Sequence, residues 1–433
     1  MLALPNLLEF LFHATITPSL VRGVLRLRRV FAFTAVAGLI SLLACQNYSN
    51  TVAGTSSTKI KSRVLVSNQL ASLGSASGTL VVVDADRDQV GVASSGLSST
   101  GQIVTNPAVI QVGGLPTLLL LSPDRKTSLV FDLQSTNFIV VDNATEAPTA
   151  SIAIGSAVTS AVLLSDNKTG YAALRNTGQV DFFDYTTFAV TKSIPVPTVR
   201  TLVLNHKGDH LLAFSDDVNS LAVIDTSANT ATTINSVTFD RPVFGVFSSD
   251  DSKAYILSCG RECGGATARV SVLDMASGTV SASVPVSAAT VGYLNSSGNL
   301  YVAGTQGTAG KLDIVAVSGL TVSKSGIPIS DGFHTLIVPA SNNRVFIGAR
   351  TCSNVTTGCL TIFNTSASTA VIGGPKGDVT AALPITGRNI VYVAEGGELR
   401  IYDTTKDAET NGVAAAPIDI VGKAIDLKAI DQQ

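Results

Sequence analysis

The chain has 433 residues, only 14 % of them charged, and a formal net charge of −2. A charge-poor, near-neutral chain argues against nucleic acid as a partner. Length alone would allow two or three domains, but a closed array of repeats can use the whole chain as one.

Residues 1–44 read as an export signal whose core lies at 22–45; the extension 1–21 is unusually long for a signal and suggests that the true initiation point lies further in. Arg22, Arg26, Arg28 and Arg29 supply the basic part, and 30–43 the apolar part, too short to span a membrane comfortably. The segment ends in Leu42-Leu43-Ala44-Cys45, which resembles a bacterial lipobox. That resemblance implies lipidation at Cys45 and a membrane contact made only through the anchor. An ordinary signal peptide that ends near a cysteine is the alternative. Residues 45–60 are then a polar tether, and 61–430 the folded part.

From there the chain repeats itself. The clearest copy starts at Pro242: strand 244–247, turn 248–253, strand 254–258, strand 269–274, turn 275–278 and strand 279–286. Four short strands in about 40–45 residues is the size of one propeller blade. First strands start near 118, 161, 201, 244, 290, 335, 380 and 424. The first set, with strands 62–67, 79–84 and 89–94 and a loose insertion at 68–78, has no leading strand. The last leading strand, 424–429, has no followers. Laying 424–429 beside 62–67 closes the ring, which predicts an all-β, single closed propeller of eight four-stranded blades; seven is the alternative if the weak first set is not a blade. The leading strands are apolar at consecutive positions, as in 118–121, which predicts burial on both faces. Pro195, Pro285 and Pro328 fall in fourth strands, where only a ladder edge tolerates proline, so that strand is the outer rim.

The second-strand pattern, Tyr255-Ile-Leu-Ser, Tyr301-Val-Ala-Gly and Tyr392-Val-Ala-Glu, recurs with a third-strand ending, Val223-Ile-Asp225, Val272-Leu-Asp274 and Ile401-Tyr-Asp403, and a Ser122-Pro123-Asp124 turn. The repeat resembles the YVTN-type propellers of exported bacterial proteins, related in shape to lactonase-like and haem-d1 propellers. The resemblance implies the fold over about 60–430. It leaves activity open, because that family includes both binders and enzymes.

Four cysteines form two close pairs, Cys259/Cys263 and Cys352/Cys359, each in a loop between second and third strands. Two local disulfides are expected for an exported chain; a four-cysteine zinc site would need the pairs to converge across an intervening repeat. The polar residues expected at the loop-bearing mouth are Arg175, Arg200, Asp216, Arg241, His334, Arg350 and Glu395. They could receive an anionic group or simply line a wet channel. His206 and His210 are spaced like ligands on a helix but flank a turn on the opposite face. Acidic turns such as Asp250-Asp251 read as self-capping rather than calcium-binding. The glycine-rich 304–310 joins two strands and has no helix behind it to hold a phosphate. Only His334 is placed as a haem axial ligand, and the absence of Trp argues against quinone-docking motifs. No metal and no cofactor are therefore expected. The functional expectation is an extracytoplasmic, lipid-anchored scaffold whose loop-bearing face binds a protein, glycan or small molecule. The alternative is a lactonase-like hydrolase at the channel mouth.

Overall fold

The computed structural model describes residues 59–431 except 73–74, 98–102, 133–134, 216, 354–357, 375 and 411–416. The export segment, Cys45 and Asp216 lie outside the described residues.

Eight antiparallel sheets follow one another around a ring. Their innermost strands are Lys423–Ala429 in blade 1, then Pro116–Leu121, Ser160–Leu163, Val199–Leu204, Pro242–Phe247, Val291–Leu294, Phe333–Ala340 and Val379–Pro384 in blades 2 to 8. Each touches the inner strand of the next blade, and Lys423–Ala429 touches both Val379–Pro384 and Pro116–Leu121, so the ring is closed. The closing pair is the expected one: Lys423–Ala429 runs antiparallel to Arg63–Ser72, with Val66 opposite Leu427. Arg63 clamps this joint. Its guanidinium donates to both carboxylate oxygens of Asp431 at 2.9 and 2.8 Å, and to Glu146 of blade 2 at 2.9 Å.

The first blade departs from the sequence reading in two places. Residues 68–78 are not a loose insertion. Arg63–Ser72 and Ser75–Asp84 pair without a break out to Ser72 opposite Ser75, so the hairpin simply overshoots the ring. The fourth strand is also not 89–94. Gln89–Val90 starts the rim, Val92–Leu97 and Ile103–Pro107 leave it as a separate hairpin, and Val109–Gln111 resumes the rim on the same neighbouring strand. Gly91 and Ala108 share the position opposite Val82: Gly91 N–H donates to Val82 and Val82 N–H to Ala108.

Burial corrects a third expectation. The strands buried on both faces are the second ones: every residue of Thr169–Leu174 is buried, and all of Lys253–Ser258 except Lys253. Inner strands are buried at only some positions, two of six in Pro116–Leu121. The physical reason is the ring geometry. A second strand is covered by a blade on each side, whereas the innermost strand turns part of its surface to the axis. The rim strands are exposed, and Pro195, Pro285 and Pro328 lie in them as expected.

Cys259–Cys263 and Cys352–Cys359 are disulfide-bonded, each within a single loop. Two such bonds fit an oxidising environment. Among the described residues, no helix is long and apolar enough to cross a membrane.

Candidate functional site

A cavity of about 470 Å³ opens at the axis, on the face carrying the loops from second to third strands. Five consecutive blades line it. Ser160 comes from blade 3, Arg200 from blade 4, Phe244 and Glu262 from blade 5, Val291 from blade 6, and His334 and Arg350 from blade 7. The repeat explains the convergence. Inner strands enter at this face and second strands end there, so equivalent positions of each blade meet around the axis. Arg200 reaches across, its guanidinium carbon 5.8 Å from the centre of the Phe333 ring. That separation suits a cation–π contact.

His334 forms part of the cavity wall and is fully buried. Both ring nitrogens are buried. Burial pushes the imidazole down to about 4, against opposing contributions from the Ser330 backbone and Asp331, so the ring is neutral at pH 7.

Glu262 was not singled out in the sequence. It sits in the short 3-10 turn Gly260–Cys263, which the Cys259–Cys263 bond closes on itself. This turn carries the carboxylate over to blade 6, where Oε2 accepts the Thr305 N–H at 2.7 Å. Residue 304 must be small there, because a Cβ would stand 2.7 Å from the Ala289 backbone nitrogen and 2.9 Å from the Ala288 Cβ. Burial raises the Glu262 carboxyl to about 7, and the Thr305 hydrogen bond opposes the rise only in part. The available signal was an acidic residue inside a four-residue disulfide loop next to the mouth.

Of the seven expected mouth residues, the structure brings Arg200, His334 and Arg350 together. Arg175 is exposed at the end of its second strand and is not part of this cavity's wall. Arg241 instead borders a separate polar recess with Asp240 and Arg269. Glu395 is a correction. Residues 391, 393 and 395 share one face of their strand, and Val391 and Val393 pack with Phe346 and Tyr402 between blades 7 and 8. Alternation therefore turns Glu395 into that interface, where it is fully buried and accepts the Tyr402 hydroxyl at 2.5 Å. Arg400, Lys376 and Glu409 complete a charged knot around it. On the opposite face, His206 and His210 each contact a carboxylate, Asp251 at 2.6 Å and Asp209 at 2.9 Å. Among the described residues, no three His, Cys, Asp or Glu side chains gather as a metal site.

These features define the chain as an eight-bladed β-propeller. No family model matches it, and no curated protein does. Solved structures do. The dihydro-heme d1 dehydrogenase NirN, in complex with DHE, is similar at 14 % identity with a TM-score of 0.60, over 88 % of this chain and 77 % of that one. Hydrazine synthase from Kuenenia stuttgartiensis is similar at 15 % identity and a TM-score of 0.51, over 67 % and 95 %. The propeller domain of Cps50 (Swd1) from Myceliophteria thermophila is similar at 12 % identity and 0.51, over 67 % and 98 %. At such identities the likeness is one of fold.

Proposed function

We propose that this chain is an exported propeller of YVTN type, anchored by a lipid at Cys45, that works as a binding scaffold through its loop-bearing face. The observation that carries the reading is the axial cavity. It is concave, built by five blades, and lined by a mixture of charged, hydroxyl and apolar side chains. Its volume falls within the range of about 300–1,000 Å³ typical of small-molecule sites. This favours a small molecule over a protein or glycan as the bound partner.

A lactonase-like hydrolase is the second reading, and Glu262 favours it. A carboxyl that titrates near neutrality suits general acid–base work. Against it stands His334, the other candidate base, which is not hydrogen-bonded to Glu262.

Three measurements test the proposal. Turnover of a lactone panel is compared between the wild type and Glu262→Gln. Binding predicts no hydrolysis that the substitution removes; hydrolysis lost in the variant establishes the enzyme. A small-molecule thermal-shift screen is then run on the wild type and on Thr335→Trp, which fills the cavity from an exposed position. Hits should disappear in the variant, and hits that persist place binding elsewhere. Mass spectrometry of the mature protein should find Cys45 acylated at the N-terminus; a mature chain that begins elsewhere defeats the anchor.

A further inference from the structure

The mouth has a sharper chemical character than a generic binding face. Its charged lining groups are Arg200, Arg350 and Glu262. Both arginines are exposed, whereas Glu262 is half-buried and His334 lies completely within the wall. The cationic groups are therefore open to solvent. Phe214, Phe244 and Val291 contribute apolar lining to the same cavity.

We propose that the cavity takes a small amphipathic acid, with its oxyanion at Arg200 and Arg350 and its apolar body against Phe244 and Phe333. This rests on the cavity being the binding site. A guanidinium accepts either a carboxylate or a phosphate monoester in bidentate fashion, so the shared chemistry is the oxyanion on an apolar body.

Glu262 makes binding pH-dependent. The groups that share the cavity with it are Arg200, Arg350 and His334; Arg261 neighbours it on its own turn, and blade 6 presents the Thr305 N–H. His334 stays neutral above about pH 5, so Glu262 is the group that changes charge near neutrality. Its ionisation adds a negative charge beside the bound anion. Affinity for an acid should therefore fall as pH rises through about 7.

The test is calorimetric titration of the purified protein with phenylacetate, phenyl phosphate, benzyl alcohol and benzylamine. The two acids should bind saturably, and the alcohol and amine far more weakly. Arg200→Ala and Arg350→Ala should each weaken the acids about tenfold, with unchanged melting temperatures showing that the fold is intact. Wild-type affinity should drop several-fold from pH 6 to pH 8, whereas Glu262→Gln should hold its affinity. Tighter phenyl phosphate identifies a phosphate ester as the preferred head, and tighter phenylacetate a carboxylate. If the alcohol or amine binds as well as the acids and Thr335→Trp abolishes it, the acid is wrong but the cavity remains the site. If Thr335→Trp leaves all binding unchanged, both the acid and the cavity fall.

Discussion

Asp184 opens the turn from third to fourth strand in blade 3, and its Oδ1 accepts the N–H groups of Thr186 and Thr187. The device recurs at Asp84, Asp142, Asp225, Asp274, Asn364 and Asp403. Four residues on, the chain takes a left-handed conformation in every one of these turns, for example φ 60° at Phe188 and 66° at Gly278. The repeated aspartate is thus a self-capping turn residue, which explains why it could be read as a motif without marking a site. Hydrogen bonds hold four of these carboxylates below their ordinary value, chiefly the Thr145 N–H at Asp142, the Ser227 hydroxyl at Asp225, the Ser277 N–H at Asp274 and the Thr405 hydroxyl at Asp403. At Asp184 burial opposes ionisation, but the turn's hydrogen bonds outweigh it and bring the group to about 2. A depressed carboxyl contributes stability that is present above its unfolded value and lost as pH falls through the folded one. Thermal melts should therefore decline between about pH 4 and pH 2, and Asp184→Asn should flatten part of that decline. Glu395 has the opposite sign. Burial raises it to about 7, against the Tyr402 hydrogen bond and the charges of Lys376 and Arg400. Its penalty is absent below the unfolded value near 4.5 and complete above about 7. Glu395→Gln should accordingly match the wild type near pH 4.5 and gain up to about 3 kcal/mol at pH 8, read by denaturant unfolding at both.

Among the elements, the disulfide loops and the split rim of blade 1 carry the predictions. The Cys259–Cys263 bond closes a loop of only a few residues, for which chain entropy predicts about 2 kcal/mol. Its larger effect is to hold Glu262 against Thr305. Replacing both cysteines by serine should cost about that stability and also return the Glu262 titration, followed by carboxyl NMR, toward an ordinary value; a Glu262 still near 7 would show that the loop holds without its bond. The hairpin 92–107 leaves the rim and returns to the same position opposite Val82. Excising it and joining Gly91 to Ala108 should keep the melting temperature within a few degrees. The two irregularities of blade 1 escaped sequence reading for one reason. Serine-rich stretches such as 75–78 and 93–96 carry the composition of loops, and backbone pairing, which side-chain type reports poorly, decides their structure. Glu395 was misplaced because position along a strand was legible and the face it points to was not. Glu262 was missed because a tight crosslinked turn sets its direction, and periodicity says nothing about a turn.

At the scale of the molecule, the number of blades and the sharing of the closing blade were legible, because eight leading strands recur at near-constant spacing and the first and last sets complete each other. Burial of the leading strands was not, since an apolar run looks the same whether it faces a neighbouring blade or an axial channel. The mouth is built by the ring: Arg200 and Phe333 come from blades 4 and 7 and meet across the axial opening. Closure rests on the last strand. Leu427 and Ile430 are buried, worth about 1.5–3 kcal/mol each. Asp426 accepts the Leu119 N–H of blade 2 at 2.8 Å, and Asp431 anchors Arg63. Against a typical net stability of about 5–15 kcal/mol, their removal is a large loss, and it also strips Arg63–Ser72 of its partner. The most direct measurement is therefore thermal unfolding of a chain ended after Gly422. The closed ring predicts loss of the cooperative transition, or aggregation on expression. A truncated chain that melts like the full-length protein would contradict the ring, and with it the mouth that the ring builds.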